Sequence, residues 1–170
     1  MVCYRGGRLA AYPPTPNSTL SGSGSWGGAA PRALDMRGGC ACGRVRYRLA
    51  STPVDTGWCH CRLCQKVAGA PALVFGTVPI GDFLIEQGAE QIGAISLVDH
   101  GVRQFARCCG TPLTIQVVHQ PGRIDVTIAS LDDPAAVPPG FHIWMASAIP
   151  WAEPGDDLPR FDDAGRDGPD

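Results

Sequence analysis

The 170-residue sequence contains a single lysine, Lys66, and no large excess of either sign of charge. A formal net charge of −2 gives no general attraction to nucleic acid or to an anionic membrane surface. No stretch approaches the roughly 20 consecutive apolar residues that span a bilayer. The N-terminus also lacks a signal peptide, because "LAAY" at 9–12 is short and prolines follow it. We therefore expect a soluble, cytoplasmic protein with no nucleic-acid or membrane partner.

Helical periodicity is scarce, since no window longer than about two turns has apolar residues at helical spacing. In "RVRYRLA", Val45, Tyr47 and Leu49 alternate with arginines, as a half-buried strand requires, and "RIDVTIAS" at 123–130 alternates similarly. Shorter apolar runs bounded by Gly, Pro or Asp lie at 72–78, 83–86, 94–98, 113–118 and 142–147. This pattern predicts a mainly β, antiparallel domain with at most a short helix after Cys64.

Both ends of the chain are poor in apolar residues. Residues 13–31 are almost entirely Pro, Gly, Ser, Thr, Asn and Ala, which cannot bury enough apolar surface to order themselves. We expect residues 1–35 to be a disordered extension, with Met36 as the true initiator. From Glu153 onward, seven acidic residues and two arginines favour a solvated tail, in which "LPRF" at 158–161 can pack back. The predicted domain covers 36–161, followed by an acidic flexible tail at 162–170.

Eight cysteines are the most informative residues. Without an export signal, the C-x-C and C-x-x-C spacings favour reduced thiolates that bind a metal over disulfides. Zinc accepts such thiolates in a tetrahedron, so closely spaced doublets suit it. Cys3 lies in the N-terminal extension. The predicted domain holds the other seven: Cys40, Cys42, Cys59, Cys61, Cys64, Cys108 and Cys109.

Seven ligands divide naturally into a group of four and a group of three. Four ligands form a closed structural site, and three leave one coordination position for water or substrate. Cys59, Cys61 and Cys64, in "CHCRLCQK", are contiguous enough to form the three-ligand site unaided. His60 lies between two of these ligands and should point to the opposite side.

Five blocks of the sequence resemble one known family: "GGCACGRVRY", "CHCRLCQKVAGAP", "RQFARCCGTPL", "IDVTIASLDDP" and "HIWMASAIPW". They occur in the order found in the glutathione-dependent formaldehyde-activating enzyme family, also called the CENP-V/GFA domain, and span about 36–161. The resemblance implies an Mss4-like β fold with two zinc ions. It implies structural ligands at Cys40, Cys42 and Cys109, and a catalytic zinc on Cys59, Cys61 and Cys64.

One block departs from the family pattern, F-C-x-x-C-G. Ala106 stands where a structural ligand is expected, and Cys108 is additional. Cys108 can replace the missing ligand, although adjacent side chains diverge on extended backbone. The alternatives are that it approaches the C-x-C-x-x-C site or remains a buried free thiol.

The resemblance implies a carbon–sulfur lyase that joins a small thiol such as glutathione to formaldehyde, with Lys66 as a candidate contact for a glutathione carboxylate. A second hypothesis is a non-catalytic, zinc-stabilised β module that binds a partner. A third, a dithiol redox protein, lacks the strand–helix context of a thioredoxin motif. Residues 36–152 contain nine basic and eight acidic residues with no basic stripe, which disfavours nucleic-acid binding. The oligomeric state is not predicted.

Overall fold

The computed structural model of the protein describes residues 36–98 and 101–164. The predictions for residues 1–35 and 165–170 therefore lie outside the described residues. Within these ranges the chain forms ten strands and one α-helix. They are β1 Met36–Gly39, β2 Arg46–Leu49, β3 Val54–Cys59, α1 Arg62–Ala68, β4 Leu73–Pro79, β5 Phe83–Gln87, β6 Ile92–Val98, β7 Gly101–Ala106, β8 Pro112–Val117, β9 Arg123–Thr127 and β10 His142–Ile143.

The strands form two sheets. One has the order β1-β2-β5, and the other has the order β10-β3-β4-β9-β8-β7-β6. Every pairing is antiparallel except the short β10–β3 pair, in which His142 lies opposite Trp58 and Ile143 opposite Cys59. The prediction of a mainly β, largely antiparallel fold is confirmed.

The larger hydrophobic core joins residues of both sheets. The alternation in β2 places Tyr47 and Leu49 in this core, with Val126 of β9 contributed by the other sheet. The Tyr47 hydroxyl lies 2.7 Å from the Ser130 hydroxyl, which donates in turn to the Thr127 carbonyl. This core therefore fixes the three-stranded sheet to one face of the seven-stranded sheet and leaves the opposite face free to carry a site.

Helix α1 begins at Arg62, whereas the sequence predicted at most a short helix after Cys64. The reason is its cap: the Cys61 side chain accepts a hydrogen bond from the Cys64 amide at 3.3 Å. It ends at Ala68, and its C-cap Gly69 has a φ of 62°, the left-handed conformation that glycine adopts readily. Across the described part of the chain, no helix combines the length and apolar character that crossing a membrane requires.

The C-terminal segment packs back onto the domain, as predicted for "LPRF". The His142 amide donates to the Pro159 carbonyl at 2.8 Å, and the Phe161 amide donates to the His142 carbonyl at 2.9 Å. The Trp144 amide also donates to the Asp163 carbonyl at 2.8 Å. These contacts place the C-terminal segment along the outer side of β10, where Arg160 pairs in parallel with His142.

We expect the protein to lose stability between about pH 10 and 12 through Tyr47. Burial raises the pKa of Tyr47 to about 12, whereas an exposed tyrosine ionises near 10. The contribution of the neutral Tyr47 hydroxyl to the free energy of unfolding is fully present below about pH 10 and is lost as the pH rises through about 12. In that window Tyr47 ionises in the unfolded chain but not in the folded protein. The loss amounts to about 2 to 3 kcal/mol. Urea unfolding of wild type and Tyr47→Phe at several pH values checks this, and equally steep losses in both proteins would contradict it.

Candidate metal centres

The seven described cysteines are free thiols that gather in two places. Cys59, Cys61 and Cys64 form what we call the three-thiol cluster. The other group, the four-thiol cluster, consists of Cys40, Cys42, Cys108 and Cys109. Within each cluster all sulfur atoms lie within 4.8 Å of one another. The division into four and three that the spacing predicts is therefore the one that the fold produces.

The three-thiol cluster forms where β3 meets α1. Cys59 is the last residue of β3, Cys61 caps the helix and Cys64 lies in its first turn. Cys59 and Cys64 are buried and pack against Leu73, on the sheet face opposite the larger core. Among residues 36–98 and 101–164, no fourth Cys, His, Asp or Glu donor joins this group. The site thus offers one protein ligand fewer than a closed tetrahedral zinc site.

Charge repulsion prevents three adjacent thiols from ionising together unless a cation is present. The hydrogen bond with Cys59 lowers the pKa of Cys61, while the same contact raises the pKa of Cys59. The group alone thus favours one thiolate beside two thiols. A divalent cation removes this conflict, and thiolate donors select soft or borderline ions such as zinc. The donor set therefore fits zinc.

The four-thiol cluster has sulfur–sulfur distances that suit a tetrahedral ion. Cys40 Sγ lies 3.5 Å from Cys42 Sγ and 3.7 Å from Cys108 Sγ. The distance between Cys42 Sγ and Cys108 Sγ is 3.3 Å. Sulfurs about 2.3 Å from a tetrahedral zinc are separated by about 3.8 Å. Cys109 completes the group and also contacts the Thr111 hydroxyl at 3.2 Å.

Cys108 and Cys109 reach the same place because they lie in a tight turn rather than in a strand. The Gly110 amide donates to the Ala106 carbonyl at 2.7 Å, and Gly110 adopts a φ of 78°. The expected divergence of adjacent side chains applies to extended backbone and does not hold in this turn. Ala106 is fully buried in the larger core. Of the three alternatives for Cys108, the geometry matches the one in which it replaces the missing ligand.

His60 belongs to a buried hydrogen-bonded chain that the sequence does not indicate. Its Nε2 lies 2.9 Å from Nδ1 of His142, and His142 Nε2 lies 3.0 Å from Asp156 Oδ1. Both imidazoles are almost completely buried. As predicted, His60 is not part of the thiol cluster. This series of hydrogen bonds instead links the cysteine loop to β10 and the C-terminal segment.

Further hydrogen bonds fix the backbone of this loop. The His60 amide donates to the Ile143 carbonyl at 3.0 Å. The Gln65 side-chain amide donates to the carbonyls of His60 at 2.6 Å and Ser147 at 3.0 Å. The segment that carries the three thiols is therefore held from two directions, which favours a preorganised ligand geometry.

We expect His142→Leu to destabilise the protein by about 2 to 3 kcal/mol, because it leaves the buried His60 Nε2 without its partner. Asp156→Asn is the matched control, because Asp156 is the exposed member of the same series of hydrogen bonds. It should destabilise the protein less. Denaturant titration of both variants measures this. A loss for Asp156→Asn equal to that for His142→Leu would contradict the expectation, since it would locate the energy in the exposed contact.

Arg103 is a site residue that sequence reasoning missed. It lies in β7, and its Nη2 donates to Cys64 Sγ at 3.3 Å. Nothing in its local sequence distinguishes it from the other arginines, because the contact depends on how β7 is placed relative to α1. Lys66, in contrast, is exposed in the last turn of α1. Its predicted role stays a prediction.

The fold and its thiol clusters define a cysteine-rich β domain with two groups of sulfur donors placed to hold metal ions. The model of the family described as glutathione-dependent formaldehyde-activating enzyme matches residues 35–147, and the chain belongs to this family. The resemblance and the Mss4-like fold predicted from the sequence are confirmed.

Three chains of solved structures match. One is a crystal structure of a Rhodobacter sphaeroides protein, with 24% identity and a TM-score of 0.50 over 57% of this chain and 88% of that chain. This likeness supports the fold alone. No curated protein matches the sequence.

Proposed function

We propose that the protein is a zinc-dependent carbon–sulfur lyase of the formaldehyde-activating type. It would add a small thiol such as glutathione to formaldehyde or a related electrophile, and release it in the reverse direction. The observation that carries this proposal is the three-thiol cluster, in which Cys59, Cys61 and Cys64 converge beside Arg103 without a fourth donor from the described chain. Family membership supports the same reaction class.

Both clusters are proposed to hold zinc, with the four-thiol cluster as the structural site. Four thiolates satisfy a tetrahedral ion and leave no position for chemistry. The three-thiol cluster is proposed as the reactive site, with Cys59, Cys61 and Cys64 as ligands. Zinc bound there would keep a substrate thiol ionised near neutral pH, where a free thiol of pKa roughly 8.5 is mostly protonated.

The reaction needs little from the protein beyond binding and orientation. The thiol sulfur forms a bond to the aldehyde carbon, the carbonyl π bond opens, and the thiol proton ends on the new hydroxyl oxygen. Arg103 supplies a permanent positive charge next to Cys64. Gln65 and His60 hold the ligand loop in place through their hydrogen bonds. Lys66, exposed on α1, is proposed to attract a carboxylate of the incoming thiol.

A reducing compartment follows from the same chemistry, so we propose a cytoplasmic location. Thiolate ligands must stay reduced to bind a metal, and the cytosol keeps thiols reduced. We also propose that neither nucleic acid nor a membrane is a partner, since the charge is nearly balanced.

A second candidate function is a non-catalytic, zinc-stabilised module that binds a protein. Two tryptophans favour it: Trp151 is 77% exposed and Trp144 is 40% exposed. Exposed tryptophans are common anchors in protein interfaces.

NMR exchange spectroscopy with glutathione and formaldehyde tests the lyase proposal. We expect the full-length protein with its bound metal to accelerate the interconversion of free and adduct forms in proportion to protein concentration. Heat-denatured protein with the same amount of free zinc is the control, because formaldehyde adds to thiols spontaneously. An exchange rate equal to this background would overturn the proposal and favour the binding module.

A further inference from the structure

A cavity of about 160 Å³ lies beside the three-thiol cluster. Leu73 and Ile115 line it, and both also pack in the apolar group that contains Cys59 and Cys64. Other walls come from Val67 of α1 and from Phe105 and Pro112. A group in this cavity would therefore be in a largely apolar environment, separated from the three-thiol cluster by residues that contact both.

Arg103 is the charged residue in the wall of this cavity. A guanidinium has five N–H donors, and within the described ranges the one side-chain hydrogen bond of Arg103 is that to Cys64. No acidic side chain described by the structure forms an ion pair with it. Most of its hydrogen-bonding capacity is thus available to a bound molecule.

Asp125 does not neutralise Arg103 by pairing with it. Along the sheet, Arg103 of β7 lies opposite Ile115 of β8, which lies opposite Asp125 of β9. Neighbouring strands are roughly 4.8 Å apart, so the two charged residues are separated by two strand spacings. Asp125 also accepts a hydrogen bond from the Thr77 hydroxyl at 2.7 Å. The charge of Arg103 acts on the Asp125 carboxyl through space without an ion pair between them. The guanidinium donors therefore stay available in an apolar cavity, where a hydrogen-bonded anion would be held firmly.

We propose that this cavity binds the carboxylate arm of a small anionic thiol and that Arg103 is its anchor. This assignment rests on the proposed function, because it gives the substrate class of the same site. The cavity is smaller than the roughly 300 Å³ at which pockets for whole drug-sized ligands begin. It accepts one short acid arm, and any further part of the thiol lies outside it. Arg103 is thus a specificity-determining residue that selects carboxylated thiols over neutral ones.

Two thiols of nearly equal shape separate charge recognition from thiol recognition: 3-mercaptopropionate and 3-mercaptopropionamide. Isothermal titration calorimetry of each with the full-length, metal-loaded protein gives two dissociation constants. We expect the ratio of the amide constant to the carboxylate constant to fall about 10- to 100-fold in Arg103→Gln, the range for losing a charged hydrogen-bonded pair. Arg103→Lys should keep part of the preference. Arg123→Gln, which removes an arginine outside the cavity wall, should keep the wild-type ratio.

The outcomes separate this assignment from the lyase proposal. If wild type binds both thiols with an unchanged ratio in Arg103→Gln, the anchor is wrong and the lyase proposal stands. An equal weakening of both thiols would also refute the anchor, because it would mean that Arg103 acts on the cysteines. Should wild type bind neither thiol, the thiol site and its anchor both fail. Metal content and melting temperature confirm that each variant is folded, and Arg103→Lys decides the question if Arg103→Gln is not.

Discussion

Replacing Cys64 by serine is expected to reduce the catalysed exchange between glutathione and formaldehyde by at least about 100-fold. Loss of a residue that merely supports a metal ligand costs about 10- to 100-fold, and removal of a proposed ligand should cost more. The substitution also removes the sulfur to which Arg103 donates. The proposed site would then lack both a sulfur donor for the metal and the hydrogen bond that orients the Arg103 guanidinium.

NMR exchange rates and metal stoichiometry measure this effect together. We expect Cys64→Ser to retain one of two ions and to keep a cooperative unfolding transition, because the four-thiol cluster is untouched. A variant with wild-type exchange rate would show that the three-thiol cluster is not the reactive site. A variant that loses both ions would show that the two clusters do not act independently.

Replacing Cys108 by serine should lower the stability of the folded protein, unlike Cys64→Ser, whose main expected effect is on the exchange rate. A closed thiolate zinc site contributes roughly 10 kcal/mol or more to folding, and serine is a poor substitute ligand. Cys108 joins Cys40 of the turn after β1 to the turn between β7 and β8, across 68 residues of sequence. We expect the melting temperature to fall by about 10 °C or more, together with the loss of one ion per chain.

Thermal unfolding and metal analysis of Cys108→Ser provide the measurement, and Cys64→Ser is the matched control with the same substitution in the other cluster. Unchanged melting temperature and metal content would identify Cys108 as a free thiol beside three ligands. In that case the four-thiol cluster would not be the structural site that replaces the family's C-x-x-C pair.

Local patterns explain what the sequence predicted well. Tyr47 and Leu49 in β2 are buried and the arginines between them are not, because side chains alternate across a strand whatever the surrounding fold. Strands β3 and β7 were not predicted, since "VDTGWC" and "GVRQFA" lack a clear apolar alternation. Their strand conformation comes from pairing within the larger sheet, where each of them lies between two neighbouring strands.

The turn at Cys108 illustrates how local reasoning reached its limit. The sequence left three alternatives for this thiol because the direction of a side chain depends on the backbone conformation. The tight turn that ends at Gly110 directs Cys108 and Cys109 to the same group. No spacing rule for strands could have given that result.

The sequence by itself determined the mainly β architecture, the family and the three-thiol cluster of Cys59, Cys61 and Cys64. These follow from side-chain alternation, from the order of the sequence motifs and from three cysteines within six residues, which the chain holds together locally. Only the tertiary structure decided that Arg103 contacts Cys64, 39 residues away, and that His142 meets His60, 82 residues away. Contacts of this range depend on how strands are ordered and aligned in the sheet, and no short stretch of sequence encodes that arrangement.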